Sequence, residues 1–150
     1  MIWLFTALLL SLVQAREVTQ EETVEQLKVE VMELINARRV SLGLTPVERD
    51  MAIEAVIQDH NDDMASGRRR FSHDGLSNRC KKIREELAGG NLCGEILAWG
   101  HRSPEAVHVG WISSPGHNRA MIEPRYNRAG FAYTKNAKSR QYWSVLFLER

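Results

Sequence analysis

The sequence lacks several patterns that assign a function directly. It has no His-Glu-x-x-His zincin motif, no Gly-x-Ser-x-Gly elbow, no P-loop and no dinucleotide fingerprint. Its cysteines form no Cys-x-x-Cys pair, which excludes the usual zinc pattern. With 20 Lys and Arg against 19 Asp and Glu, the net charge is +1. Such a balance produces no strong positive electrostatic potential that would attract nucleic acid or an anionic membrane, and we expect neither as a partner.

Charge is also missing from the first fifteen residues, MIWLFTALLLSLVQA. Their apolar run is shorter than the roughly 20 residues of a membrane helix, and Val13-Gln14-Ala15 suits signal peptidase. We predict that residues 1–15 are a signal peptide and that residues 16–150 form one secreted domain, extracellular or periplasmic, with no membrane span after cleavage. The alternative is an uncleaved anchor, because no Lys or Arg precedes the run.

Only two cysteines are present, Cys80 and Cys93. A leader peptide implies an oxidising compartment, so we favour a disulfide between them over two buried thiols. On the chain-entropy model, closing a loop of this length stabilises a fold by about 3 kcal/mol.

Apolar periodicity predicts helices before and after a small set of strands. The first helix follows a capping box at 19–22 and stops near Gly43, and the second stops near Gly67. The remaining predicted elements are helices at 81–88, after Ser103 and after Pro115, a strand at 94–99, and a hairpin of strands at 128–134 and 142–148. This order predicts an α+β layered domain.

Three polar residues lie outside the regular apolar faces: His73 in a loop, Glu95 at the start of a strand, and His117. If Ser114 caps a helix that begins at Pro115, the dipole at its first turn disfavours imidazolium at His117. A neutral imidazole suits a metal ligand or a general base, and equally a histidine that only binds a loop. His60 lies on an apolar stripe, and we interpret it as a hydrogen-bonded core residue. Arg68 to Arg70 is interpreted as a solvated turn.

Several segments, in order and spacing, resemble the CAP superfamily of cysteine-rich secretory proteins, antigen 5 and plant pathogenesis-related 1 proteins, in its short bacterial SCP-like form. They are the first-helix segment 34–39, the segment 57–64, Phe71-Ser72-His73, Gly94-Glu95, Trp111 to His117 and the last strand 142–147. The resemblance covers most of the chain and implies a three-layer α-β-α sandwich as a single domain, with a cleft that carries an acid-histidine tetrad.

Carried over by position, the resemblance makes His73 the first histidine, Glu95 the first glutamate and His117 the second histidine of that tetrad. The family's other glutamate stands three residues after the helix tryptophan, where this chain has Ser114, and Ile96 replaces the usual asparagine. In some members the two histidines bind a divalent metal, often zinc. His73 and His117 are therefore the candidate metal ligands, in a site that the missing carboxylate makes open, weaker or absent.

Three functions are compatible with these residues. The favoured one is a secreted, monomeric binding or signalling module for an extracellular lipid or peptide, since no nucleophile with a partnered base is visible. The first alternative is a metal-assisted hydrolase of peptides or cell-wall material, in which Glu95 orients or deprotonates water. The second is a structural domain whose His-Glu-His cluster only ties helices to the sheet.

Overall fold

The structure, a computed structural model in which residues 23–150 are described, places helices on both faces of one sheet. The predicted signal peptide and the capping box lie outside the described residues. In chain order the elements are α1 (23–41), β1 (Glu48–Arg49), α2 (Met51–Ser66), α3 (Leu76–Leu87), β2 (Cys93–Trp99), α4 (Pro104–Ser113), α5 (Pro115–Met121), β3 (Arg128–Lys135) and β4 (Gln141–Leu148).

The four strands lie in the order β1-β3-β4-β2. The predicted hairpin is confirmed: β3 and β4 pair antiparallel, with Phe131 opposite Val145. β2 pairs antiparallel with the other side of β4, which sets Glu95 opposite Leu146. β1 pairs parallel with β3 and was not predicted, because its two residues are too few to show an alternating pattern.

The core has two layers, one on each face of the sheet. Successive side chains of β4 point to opposite faces, so they contribute in turn to the two layers. Val145 and Phe147 pack with α1, α4 and α5 on one face of the sheet. Leu146 and Leu148 pack with α2 and α3 on the other face. The α-β-α sandwich implied by the resemblance is therefore confirmed.

The ends of the helices follow their local chemistry. Asp50 caps α2 by accepting hydrogen bonds from the N–H groups of Ala52 and Ile53. Gly67 ends the same helix at φ +80°, as predicted. The predicted start of α3 at Lys81 is wrong, since the helix begins at Leu76. Leu76, Cys80 and Ile83 lie on one apolar face of this helix, and the prediction missed the first of them.

Arg39 of α1 is buried completely. Its guanidinium donates to four backbone carbonyls, those of Thr45, Met121, Glu123 and Tyr126, at 2.8 to 3.0 Å. Burial lowers the pKa of this side chain. The hydrogen bonds compensate for its desolvation and fix α1 to the segment between α5 and β3.

The predicted disulfide is confirmed. Cys80 and Cys93 are bonded, with their Cα atoms 5.9 Å apart, and the bridge joins α3 to the first residue of β2. Within residues 23–150 there is no free cysteine.

We predict that the double substitution Cys80→Ala/Cys93→Ala lowers the free energy of unfolding by about 3 kcal/mol, because the open loop regains conformational entropy in the unfolded chain. Urea titration followed by circular dichroism measures the change. The wild-type protein, reduced with dithiothreitol before and during the titration, should show the same loss relative to the oxidised protein. A change below about 0.5 kcal/mol in both experiments would contradict a stabilising role for the bridge.

Candidate functional site

His73 and Glu95 are brought together by different parts of the fold. His73 lies in the loop between α2 and α3, with 51% of its side chain exposed, whereas the side chain of Glu95 on β2 is 0% exposed. Nδ1 of His73 lies 2.9 Å from Oε1 of Glu95. The carboxylate therefore orients the imidazole, and the outer edge of the ring faces solvent.

The dominant partner of Glu95 is Arg79, which was not predicted. Nε of Arg79 donates to Oε2 at 2.8 Å, and one terminal nitrogen donates to Oε1 at 2.8 Å. The other terminal nitrogen donates to the carbonyl of Asp74 at 2.9 Å. Both carboxylate oxygens are thus held by a bidentate guanidinium at a buried position. The sequence did carry a signal for this pair. Arg79 precedes Cys80 and Glu95 follows two residues after Cys93, so the predicted disulfide brings the two side chains into the same region.

His117 lies in the first turn of α5, as predicted, and Ser114 holds the N-cap position. The hydroxyl of Ser114 makes no capping hydrogen bond, so only the backbone caps this helix of seven residues. Burial lowers the pKa of His117, and the nearby His73 adds to the effect. The predicted direction is confirmed, although desolvation rather than the helix dipole is its main cause.

His117 and Ser114 face a cleft of about 270 Å³. Its walls include the aromatic rings of Phe71 and Trp99, which are 41% and 45% exposed, together with His101. His101 lies tight against α4, because a Cβ at Gly110 would come within 2.8 Å of its ring. Of the three predicted site residues, His117 lines this cleft, whereas Glu95 is buried against Arg79 and is contacted by His73.

His60 has the core role that was predicted for it. It is 4% exposed, and its Nε2 lies 3.0 Å from the carbonyl oxygen of Ser72. This contact anchors the loop residue that precedes His73. Burial lowers the pKa of His60, and the positive charge of Arg79 adds to the effect.

The donor set does not fit a resident zinc ion. Structural zinc sites use four protein ligands and catalytic sites three. Among the described residues, no group of three or more His, Cys, Asp or Glu side chains could hold a metal ion. Both oxygens of Glu95 accept hydrogen bonds from Arg79, whose charge opposes a second cation. Ser114 adds no carboxylate.

A comparison with known protein families identifies the family of this chain. Residues 32–147 match the model of the cysteine-rich secretory protein family, CAP. The chain therefore belongs to the CAP family, and the resemblance drawn from its motifs is confirmed.

Solved structures share the fold. An outer surface protein from Borrelia burgdorferi is 27% identical with a TM-score of 0.72, and the match covers 85% of this chain and 95% of that one. An extracellular SCP-domain protein from Bacillus anthracis has a TM-score of 0.72 at 22% identity, covering 84% of this chain and 41% of that one. At that identity the second match supports the fold alone.

Two curated proteins of Bacillus subtilis (strain 168) also match. The membrane protein YlbC is 27% identical over 125 residues, or 81% of this chain, and YkwD is 25% identical over 120 residues, or 79%. This chain spans 34% and 45% of the lengths of those two proteins. In the described part of this chain, no helix is long and apolar enough to cross a bilayer.

The buried pair of Arg79 and Glu95 predicts strong energetic coupling. Arg79→Met leaves a buried carboxylate without its partner and should lower the free energy of unfolding by about 3 kcal/mol or more. In a Glu95→Gln background the same change should cost about 2 kcal/mol less, which a double-mutant cycle in urea measures. The exposed pair Arg128 and Glu48 is the control and should give a coupling below about 1 kcal/mol. Additive effects at Arg79 and Glu95 would refute the coupling.

The lowered pKa of His60 predicts a loss of stability in mild acid. In the unfolded chain a histidine titrates near about pH 6.5, so below that pH the unfolded state binds the proton more readily. The contribution is complete above pH ~6.5 and is lost as the pH falls towards the lower folded value. Urea titrations across this range should show a smaller loss for His60→Gln than for wild type. If the free energy of unfolding falls equally with pH in both proteins, His60 does not contribute to the loss of stability in acid.

Proposed function

We propose that this CAP domain is an extracellular binding module whose cleft receives one or two side chains of a peptide. The observation that carries the proposal is the cleft itself, in which two half-exposed aromatic rings stand beside His101 and His117. Large aromatic side chains are typical anchors at recognition surfaces. The remaining wall is formed by β2 and α4, so the cleft is held by regular elements.

The size of the cleft favours a peptide over a lipid. Sites that bury a whole drug-sized molecule have volumes of roughly 300 to 1,000 Å³. At about 270 Å³, this cleft suits a side chain of an extended ligand better than an entire sterol or acyl chain. A peptide can place such a side chain in the cleft and continue over the surface.

The contacts of Glu95 and Ser114 favour binding over hydrolysis. A general base needs a free carboxylate within reach of water, and the carboxylate of Glu95 is 0% exposed and held by Arg79. A nucleophile needs a base beside it, and among the described residues no hydrogen bond joins the hydroxyl of Ser114 to an imidazole. A binding role requires neither arrangement.

An extracellular location is part of the proposal. The predicted signal peptide and the disulfide between Cys80 and Cys93 support it. The name of the structural neighbour from Borrelia burgdorferi, an outer surface protein, points the same way.

Selection of a phage-displayed random heptapeptide library on the immobilised protein tests the proposal. Synthetic copies of the enriched peptides should bind in solution by fluorescence anisotropy. Trp99→Ala should weaken them at least about tenfold, because it removes an anchoring wall of the cleft. Val109→Ala removes an apolar side chain that is even more exposed, at 60% on α4, and lies outside the cleft, so it should have less than about a twofold effect.

Two outcomes would contradict a peptide site in this cleft. One is equal binding of the selected peptides to wild type and Trp99→Ala. The other is their displacement by vesicles of phosphatidylcholine and cholesterol in wild type but not in Trp99→Ala, which would assign the cleft to a lipid.

A further inference from the structure

A second concavity lies between the C-terminal end of α2 and the β3–β4 hairpin, and we call it the basin. Its volume is about 740 Å³, well above that of the cleft. Polar and charged side chains from both elements line it, among them Asp62, Arg68, Asn136, Lys138 and Arg140. The basin is large enough for several side chains of a ligand.

Positive charge dominates the basin. Three cationic side chains line it, Arg68, Lys138 and Arg140, against the one carboxylate of Asp62. Asp62 already accepts hydrogen bonds from Gln58 and Thr134.

The charges of the three cations are balanced to different degrees. Arg68 is partly neutralised by Asp63, with Nε 2.7 Å from Oδ1. In the part of the chain that the structure describes, neither Lys138 nor Arg140 forms an ion pair. Among the described residues, two of the three cations that line the basin therefore lack an ion-pair partner.

The hairpin that carries these cations is held in place by Asn136. Its Oδ1 accepts hydrogen bonds from the N–H groups of Lys138 and Arg140, both at 3.0 Å. Its Nδ2 donates to the carbonyl of Ala65 in α2 at 3.3 Å. The two walls of the basin are thus tied together, and little order has to be gained when a ligand binds.

An aromatic ridge connects the basin with the cleft. Phe71 and Trp99 line the cleft, with ring centroids 6.2 Å apart, and Phe71 also lies 6.4 Å from the ring of Tyr142, which lines the basin. On the basin side, the guanidinium of Arg140 lies 4.1 Å from the centre of the Trp99 ring. A ligand that crosses this ridge contacts both concavities.

We propose that the basin binds acidic side chains of the same peptide whose neighbouring residue enters the cleft. This inference rests on the proposed function, which supplies the peptide. It adds a preference for the sequence of that peptide: an aromatic or apolar residue enters the cleft, and Asp or Glu residues follow on the side of the β3–β4 hairpin. Charge complementarity selects the ligand, because Lys138 and Arg140 offer unpaired donors to carboxylates. The chain's net charge of +1 argues against a nucleic acid, which needs an extended basic surface.

Fluorescence anisotropy with fluorescein-labelled hexaglutamate probes the basin without the cleft. We expect binding by the wild-type protein that weakens as salt rises from about 50 to about 300 mM, because exposed charges are screened. Lys138→Glu should weaken it at least about fivefold, and the milder Lys138→Ala about twofold.

Lys135→Glu is the matched control. Lys135 is an exposed residue of the same hairpin that does not line the basin, so the same charge reversal there should change affinity less than about twofold. Melting curves confirm that each variant is folded.

Three results would overturn the inference: equal weakening by Lys135→Glu and Lys138→Glu, equal binding of labelled hexalysine, or tighter binding of single-stranded DNA with the same number of charges. The last would assign the basin to phosphate groups.

The two proposals fail separately. If hexaglutamate does not bind but library peptides still depend on Trp99, the basin inference is wrong and the peptide module stands. If library peptides ignore Trp99 while hexaglutamate depends on Lys138, the cleft proposal is wrong and an acidic-ligand basin stands. When both hold, enriched peptides should carry Asp or Glu beside their anchor, and Lys138→Glu should weaken them as it weakens hexaglutamate.

Discussion

The buried guanidinium of Arg39 is the interaction on which the arrangement of this domain depends. A charge removed from water is costly unless its donors are satisfied, and here four carbonyls accept them. Two of those carbonyls, of Glu123 and Tyr126, belong to the irregular segment between α5 and β3, and a third, of Met121, belongs to the last residue of α5. The same hydrogen bonds therefore set where α5 ends and where β3 enters the sheet. The position of His117 at the start of α5 follows from a residue of the first helix.

Local patterns in the sequence were sufficient for most of the sandwich. Periodicity located α2, the hairpin and β2 because each has a buried face long enough to repeat, and Gly67 ended α2 through its positive φ. The same reasoning failed for β1 and for the first turn of α3. Both are fixed by tertiary contacts: β1 by its pairing with β3, and α3 by its packing on α2 and its bridge to β2. β1 is too short to show a period, whereas Leu76 at the start of α3 does continue the apolar spacing of Cys80 and Ile83, and the prediction missed it.

The candidate site was only partly within reach of the sequence. Family motifs gave His73, Glu95 and His117, and the structure brings His73 and Glu95 into contact. Arg79 was missed because the predicted helix began only at Lys81, so the predicted bridge at Cys80 was not enough to place the side chain of Arg79 beside Glu95. Its presence changes the chemistry of the site, since a guanidinium now supplies the positive charge next to the carboxylate. Ser114 has a complementary effect, because it leaves the cleft side of His117 without an acid. In place of the family's acid-histidine tetrad, this chain has the ion pair of Arg79 and Glu95, with the half-exposed His73 beside it.

The disulfide has a consequence beyond the entropy of the unfolded chain. Cys80 directly follows Arg79, and Cys93 stands two residues before Glu95, so the bridge spans the same two elements as the ion pair. β2 is held in the sheet by β4 whether or not the bridge is formed, whereas α3 has no strand pairing to fix its register. The bridge therefore helps to fix α3 at the height along β2 where the guanidinium of Arg79 meets the carboxylate of Glu95. The bridge thus also keeps a buried ion pair in register, a structural role in the folded state.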